Sequence, residues 1–169
     1  MASIATTYLT APKGLEQIAS TLGDIRKYIL HDGTLDPRWQ IEFLALVALP
    51  FPLTLSFDQS RTITHFTCHN LLVGVFADVF GKIVSDGLQD KVESFGGCFA
   101  FRPQRTGSKL STHCWGIAVD LNPETNLQGT IGDMDGGVVG IFRSAGFEWG
   151  GDWAGPRRDA MHFQFCSGY

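Results

Sequence analysis

The chain has 169 residues, with 44% hydrophobic and 18% charged content, enough to bury one core and too apolar for a disordered segment. Its formal net charge is -4 and no run of Lys or Arg appears, which excludes a nucleic-acid surface. The longest apolar stretch, Phe43 to Leu49, is too short to cross a bilayer and is followed by Pro50 and Pro52, so no membrane insertion is expected.

The first residues, MASIATTYLTAPKG, lack a basic start followed by an apolar core and do not read as a secretory signal. The expectation is a protein made in the cytoplasm that acts there, leaves by another route, or has had a signal removed. Leu15, Ile18, Ala19, Leu22, Ile25 and Ile29 fall at helical spacing between Pro12 and Gly33, which predicts one amphipathic helix. WQIEFLALVALPFPLTL fits either a strand or a helix. Its two prolines argue for an extended end. Thr67 is positioned to cap a second long helix running to about Gly87. Leu71, Leu72, Val75, Phe76, Val79, Phe80 and Ile83 would be its apolar stripe.

Glu93 to Arg102 reads as a Gly-rich strand and Ile117 to Leu121 as a second. Asn122 to Gly137 is a long polar loop, a candidate lid. Val138 to Ala145 is a short helix closed by Gly146, and Met161 to Cys166 is the last strand. Helices come first and strands last. The expected fold is therefore α+β, with a central antiparallel sheet and helices packed on one face. One domain is expected over residues 1–169, with a helical part, 1–90, and a sheet part, 91–169.

Cys68, Cys98, Cys114 and Cys166 include no C-x-x-C pair, so neither a zinc ribbon nor a thioredoxin-like motif is supported. Cys114 lies beside His113, but adjacent residues of a strand point to opposite faces. Asp133-Met134-Asp135-Gly136-Gly137 hints at a calcium loop but lacks the later glutamate, and a solvated turn is the better reading.

The chemistry concentrates in the last sixty residues. On strand geometry Ala118 and Asp120 share one face, and Ile117, Val119 and Leu121 share the other. His162 and Gln164 likewise share a face opposite Phe163 and Phe165. If the two strands are neighbours, Asp120 and His162 converge, and His113 enters from the loop before Gly116. Two imidazoles and a carboxylate around an open fourth position suit a catalytic zinc, one Zn2+ per chain. Asp159, three residues before His162, is the candidate proton shuttle. Arg102 is the candidate for steadying a developing oxyanion, with Arg105 the alternative. Trp149 and Trp153, set among Gly150, Gly151 and Gly155, are candidate substrate platforms as much as core or rim residues.

LSTHCWGIAVDLNPETN, GFEWGGDW and DAMHFQF together resemble the M15 metallopeptidases. That family includes VanY-type D-alanyl-D-alanine carboxypeptidases and the L-alanyl-D-glutamate endopeptidases of phage endolysins. The motif-bearing resemblance spans Gly96 to Phe165. It implies zinc ligands at His113, Asp120 and His162, with Asp159 as acid/base where several members use Glu. It implies Arg102 on the scissile carbonyl and Ser111 as a supporting residue beside the first ligand. It implies the α+β fold shared by DD-peptidases and the signalling domain of hedgehog proteins. The implied substrate is a peptidoglycan stem peptide, cut by a monomer.

The endopeptidase cut is slightly preferred, because no signal is seen and a holin-released enzyme needs none. Removal of a terminal D-Ala is the alternative, and Arg105, Lys109, Arg157 or Arg158 could meet its carboxylate. A non-catalytic zinc-stabilised binding module is the alternative of another class, and it predicts loss of the base or the arginine. A cytoplasmic peptidase with a non-wall substrate is a third.

Overall fold

The computed structural model describes residues 9–105 and 108–169. The amino-terminal segment read for a signal lies largely outside them. Four α-helices are found among the described residues: α1 (Gly14–Leu22), α2 (Arg38–Phe43), α3 (Val73–Ser85) and α4 (Gly136–Ser144). The strands are β1 (Leu44–Leu55), β2 (Asp58–His69), β3 (Ser94–Gly97), β4 (Ala118–Leu121), β5 (Glu148–Trp149) and β6 (His162–Gln164). They form one sheet in the order β2-β1-β3-β4-β6-β5.

The fold class is α+β, as expected. The sheet is mixed: β1 and β3 run parallel, and the other four pairings are antiparallel. The amino-terminal half is less helical than expected. The ambiguous segment becomes the short α2 and then β1, whose register with β2 shifts between Ala48 and Leu53, across the two prolines. Proline has no N–H for the ladder, so the irregularity falls there.

Thr67 is not a helix cap. It lies inside β2, opposite Leu46, and α3 starts only at Val73 after a 3-10 turn over Asn70–Leu72. The expected stripe is right from Val75 onward: Val75, Phe76, Val79, Phe80 and Ile83 are all buried. The first predicted helix stops at Leu22. Gly23 takes φ +88, and a side chain there would collide with the Phe43 ring. Ile25–Tyr28 continues as a 3-10 turn. The strand expected from Glu93 to Arg102 ends at Gly97, whose φ of +138 turns the chain away.

One face of the sheet carries the aromatic core. Phe66 on β2 packs edge-on against Phe76 and Phe80 of α3, Phe142 of α4 stacks on Phe163 of β6, and Phe80 meets Phe142. These helices therefore cover the face that bears Phe163. The alternation of β6 then presents His162 and Gln164 on the opposite face.

Candidate metal centre

Ser111 begins a 3-10 turn over Thr112–Trp115, and its hydroxyl accepts the His113 N–H at 3.3 Å. Gly116 ends the turn in the left-handed region at φ 69, and a Cβ there would lie 2.9 Å from the His69 nitrogen. Only glycine fits both demands. The turn delivers the chain into β4, where Asp120 pairs directly with His162 of β6. On the other side of β4, Gly96 leaves room: a Cβ there would sit 3.0 Å from that of Asp120. The convergence expected from strand parity is thus met, and His113 joins it.

His113, Asp120 and His162 are buried, and their candidate ligand atoms lie within 4.8 Å of one another. His113 Nδ1 donates to the Cys98 carbonyl oxygen at 2.6 Å. Its Nε2 therefore carries the lone pair, 3.2 Å from Asp120 Oδ1, buried and without a hydrogen bond. His162 Nδ1 lies 2.9 Å from the same oxygen. Its Nε2 faces Gln164 Oε1 at 3.1 Å and Thr112 Oγ1 at 3.4 Å. The Thr112 hydroxyl donates to Gln164 Oε1 at 3.2 Å.

A buried carboxylate facing an imidazole lone pair is an arrangement that a cation between them would satisfy. A divalent metal would meet all three groups at once, and two nitrogens with one carboxylate oxygen is a donor set that fits zinc. Burial alone would raise the Asp120 carboxyl. Positive charge on the two histidine rings overrides it and holds the group far below the usual carboxylate range, as a cation held between them also would. Burial alone would lower His162, but its hydrogen bond to Asp120 and the nearby carboxylates raise it.

Around these three residues opens a cleft walled in part by Arg102, Arg105, Ser111, Trp153, Arg157 and Asp159. Asp159 has one carboxylate oxygen buried without a hydrogen-bond partner. Burial pushes its carboxyl up to about 6, against the pull of His162 and Arg105. Its backbone is fixed at both ends: its N–H donates to Gly150 at 2.9 Å, and its carbonyl accepts the His162 N–H at 3.0 Å. A side chain at Gly150 would overlap the Asp159 carbonyl.

Arg102 is docked through its backbone to the turn at 111–114, its carbonyl accepting the Ser111 N–H at 3.0 Å. Its side chain donates to the Pro103 carbonyl oxygen at 3.3 Å. The Trp153 ring lies 5.4 Å from the His162 ring, and the Arg157 guanidinium sits over the Trp153 ring, 5.9 Å from its centroid. Trp149 is placed elsewhere. Its indole donates to the Ala160 carbonyl oxygen at 2.8 Å, its ring stacks toward Phe163, and it does not line the cleft. Cys114 also stands apart, its thiol donating to the Arg102 carbonyl oxygen.

The loop after Asn122 is pinned by the fully buried Asn126, which accepts from Asp133 and Met134 and donates to Asn122 and Asp133. Asp135 caps α4. Gln128 from this loop reaches the cleft. Sequence reasoning passed over Thr112, Gln104, Gln128 and Tyr169, which also line it. It noted that Gln164 shares a face with His162, a signal sufficient to place Gln164 in the site.

Residues 104–165 match the family model described as D-alanyl-D-alanine carboxypeptidase of the M15 peptidases. The match includes His113, Asp120, Asp159 and His162. Arg102 falls two residues before it. No curated protein matches the chain.

Proposed function

We propose that this chain is a zinc-dependent peptidase of the M15 type that hydrolyses a peptide bond in peptidoglycan stem peptides, a reading supported by the match of residues 104–165 to the M15 family model. The observation that carries the zinc is the pair of imidazole nitrogens, His113 Nε2 and His162 Nδ1, both turned on Asp120 Oδ1. Held by His113, Asp120 and His162, a zinc ion would supply a Lewis acid that acidifies water and polarises a carbonyl. The Asp159 carboxylate takes the proton of the attacking water and returns it to the leaving amine. Arg102, with Arg105 beside it, donates to the carbonyl oxygen as negative charge develops. Ser111 keeps His113 in its turn, and Trp153 offers an aromatic wall to the substrate.

Arg102, Arg105 and Arg157 line the cleft, and among the described residues none has a carboxylate at ion-pair distance. Unpaired guanidinium groups around a cleft in a net-acidic chain suit a substrate that brings its own carboxylate. The family's description favours the D-alanyl-D-alanine bond, whose leaving residue carries the terminal carboxylate. The L-alanyl-D-glutamate bond is the second reading. The stem D-glutamate continues through its side chain, so its α-carboxylate also lies next to the scissile nitrogen.

The test is mass spectrometry of purified peptidoglycan after incubation with zinc-loaded protein, beside a chelated control. Loss of D-Ala names the carboxypeptidase, and a new amino-terminal D-Glu names the endopeptidase. An unchanged profile across several wall chemistries would overturn the peptidoglycan reading and leave a zinc-stabilised binding module or a peptidase with a non-wall substrate.

A further inference from the structure

We propose that Gln164 is a positioning residue that selects the metal-binding tautomer of His162. The inference rests on the reading of His113, Asp120 and His162 as a zinc site. Neutral imidazole carries one ring proton, and His162 has an acceptor waiting at each nitrogen: Asp120 Oδ1 at Nδ1 and Gln164 Oε1 at Nε2. A proton on Nδ1 would bind Asp120 and remove both residues from the ligand set. A proton on Nε2 binds Gln164 and leaves the Nδ1 lone pair beside His113 Nε2. An ionised carboxylate is the stronger acceptor of the two. Left alone, Asp120 would draw the proton to the wrong nitrogen, so the Gln164 amide oxygen must oppose it.

The amide is oriented for that task. Its oxygen also takes the Thr112 hydroxyl, so two donors converge on it. Turning the amide over would set its NH2 against Nε2 and demand a lone pair there, which puts the ring proton back on Nδ1. Amide orientation and His162 tautomer are thus locked together. The observed orientation leaves Gln164 Nε2 buried without a protein acceptor. A side chain placed only for packing would not leave its amide so. The same residue sits in β6 between Ala118 of β4 and Glu148 of β5, which fixes its distance from His162.

The readout is the zinc dissociation constant, from competition with a chromophoric chelator, together with melting of the metal-free protein. Gln164→Leu removes the acceptor and is expected to weaken zinc binding by about 10–100-fold. Gln164→Glu keeps an oxygen on Nε2 and is expected to stay within about threefold of the parent, since the ligand geometry is retained. Thr112→Val is expected to shift affinity the same way as Gln164→Leu, by less. A merely structural Gln164 would lower melting in both Gln164 variants and leave their zinc affinities alike. That result, or a parental affinity in Gln164→Leu, overturns the inference.

The parent alone gives a second check should a variant fail to fold. Its zinc-loaded form is expected to show a slowly exchanging His162 Nε2 proton by NMR, and its absence would also overturn the inference. The zinc reading is tested separately by His113→Ala. If the parent binds no zinc, or His113→Ala binds it equally well, that reading fails first. If His113→Ala loses zinc while Gln164→Leu keeps it, only the role of Gln164 falls.

Discussion

Two turns of this protein look alike and do different work. Both the turn at His69–Leu72 and the turn at Ser111–Trp115 are short 3-10 segments that place a buried histidine against the end of a strand. His69 has both ring nitrogens occupied: Nε2 donates to the Leu22 carbonyl oxygen at 2.9 Å, and Nδ1 accepts the Leu71 N–H at 3.2 Å. His113 has one nitrogen on the Cys98 carbonyl and the other turned on a carboxylate with no hydrogen bond. The lesson is that a buried imidazole satisfied twice by backbone is structural, while one left half-satisfied beside a carboxylate marks a ligand set.

That contrast gives the largest expected effects. His113→Ala should reduce turnover to that of the chelated control and abolish zinc uptake, besides a stability cost from leaving the Cys98 carbonyl oxygen without its donor. His69→Leu should spare the metal site. It leaves the Leu71 N–H without its acceptor and should cost about 1–3 kcal/mol of stability, with zinc affinity kept. Equal zinc loss in the two variants, read by chelator competition, would erase the distinction between the turns.

Next comes the base. Asp159→Ala should lower kcat by about 10²–10⁴-fold with zinc stoichiometry unchanged by elemental analysis. A variant that still turns over at the parental rate removes Asp159 from the mechanism. A subtler break is Gly150→Ala, because any Cβ there meets the Asp159 carbonyl. The displaced carboxylate should cost about 10²-fold in turnover, the scale of an ångström-sized misplacement. Gly136→Ala, at a helix position with open space around its Cβ, is the control and should leave turnover intact.

The two turns also differ in how far the sequence reveals them. Asp120 and His162 were legible because strand parity is strict: once two strands pair, the face of each side chain follows. The turn at 111–116 carries its own marks, a capping Ser111 and a left-handed Gly116. β2 had no such marks. DQSRTITHFTCH has a mostly exposed, polar outer face, and Thr67 followed by an apolar stripe fits a capped helix equally well. What decides for a strand is pairing with β1, a tertiary fact. Gly23 ended α1 for a similar reason, since its left-handed φ and the Phe43 ring against it are invisible to helical spacing. β5 is two residues long and has no period to read. Trp149 ends the two-residue β5 and Trp153 follows in the same Gly-rich stretch, so nothing local could tell that one packs on Phe163 while the other walls the cleft.

The smallest expected effect sharpens the comparison most, because it is confined to His69. Burial lowers the pKa of this imidazole below its ordinary value of 6.5, and its hydrogen bond to the Leu22 carbonyl oxygen recovers only part. The folded protein therefore binds this proton less readily than the unfolded chain does. As pH falls below about 6.5 the unfolded chain takes up the proton first, and stability drops by at most about 1.4 kcal/mol per pH unit until the folded site titrates. Above that pH both states are neutral and the contribution is flat. Protonation would put a hydrogen on Nδ1, where the Leu71 N–H already points, so the charged form has no place in the turn. His69→Gln keeps a donor for the Leu22 carbonyl and cannot titrate. Urea unfolding of the metal-free protein at pH 7.5 and 5.5 should show a smaller acid loss in His69→Gln than in the parent, whereas the same comparison made with Gly136→Ala should show the parental loss. An identical acid loss in His69→Gln would mean that the turn at His69 tolerates a charged imidazole, and the division between a satisfied and a half-satisfied histidine would then no longer separate structure from site.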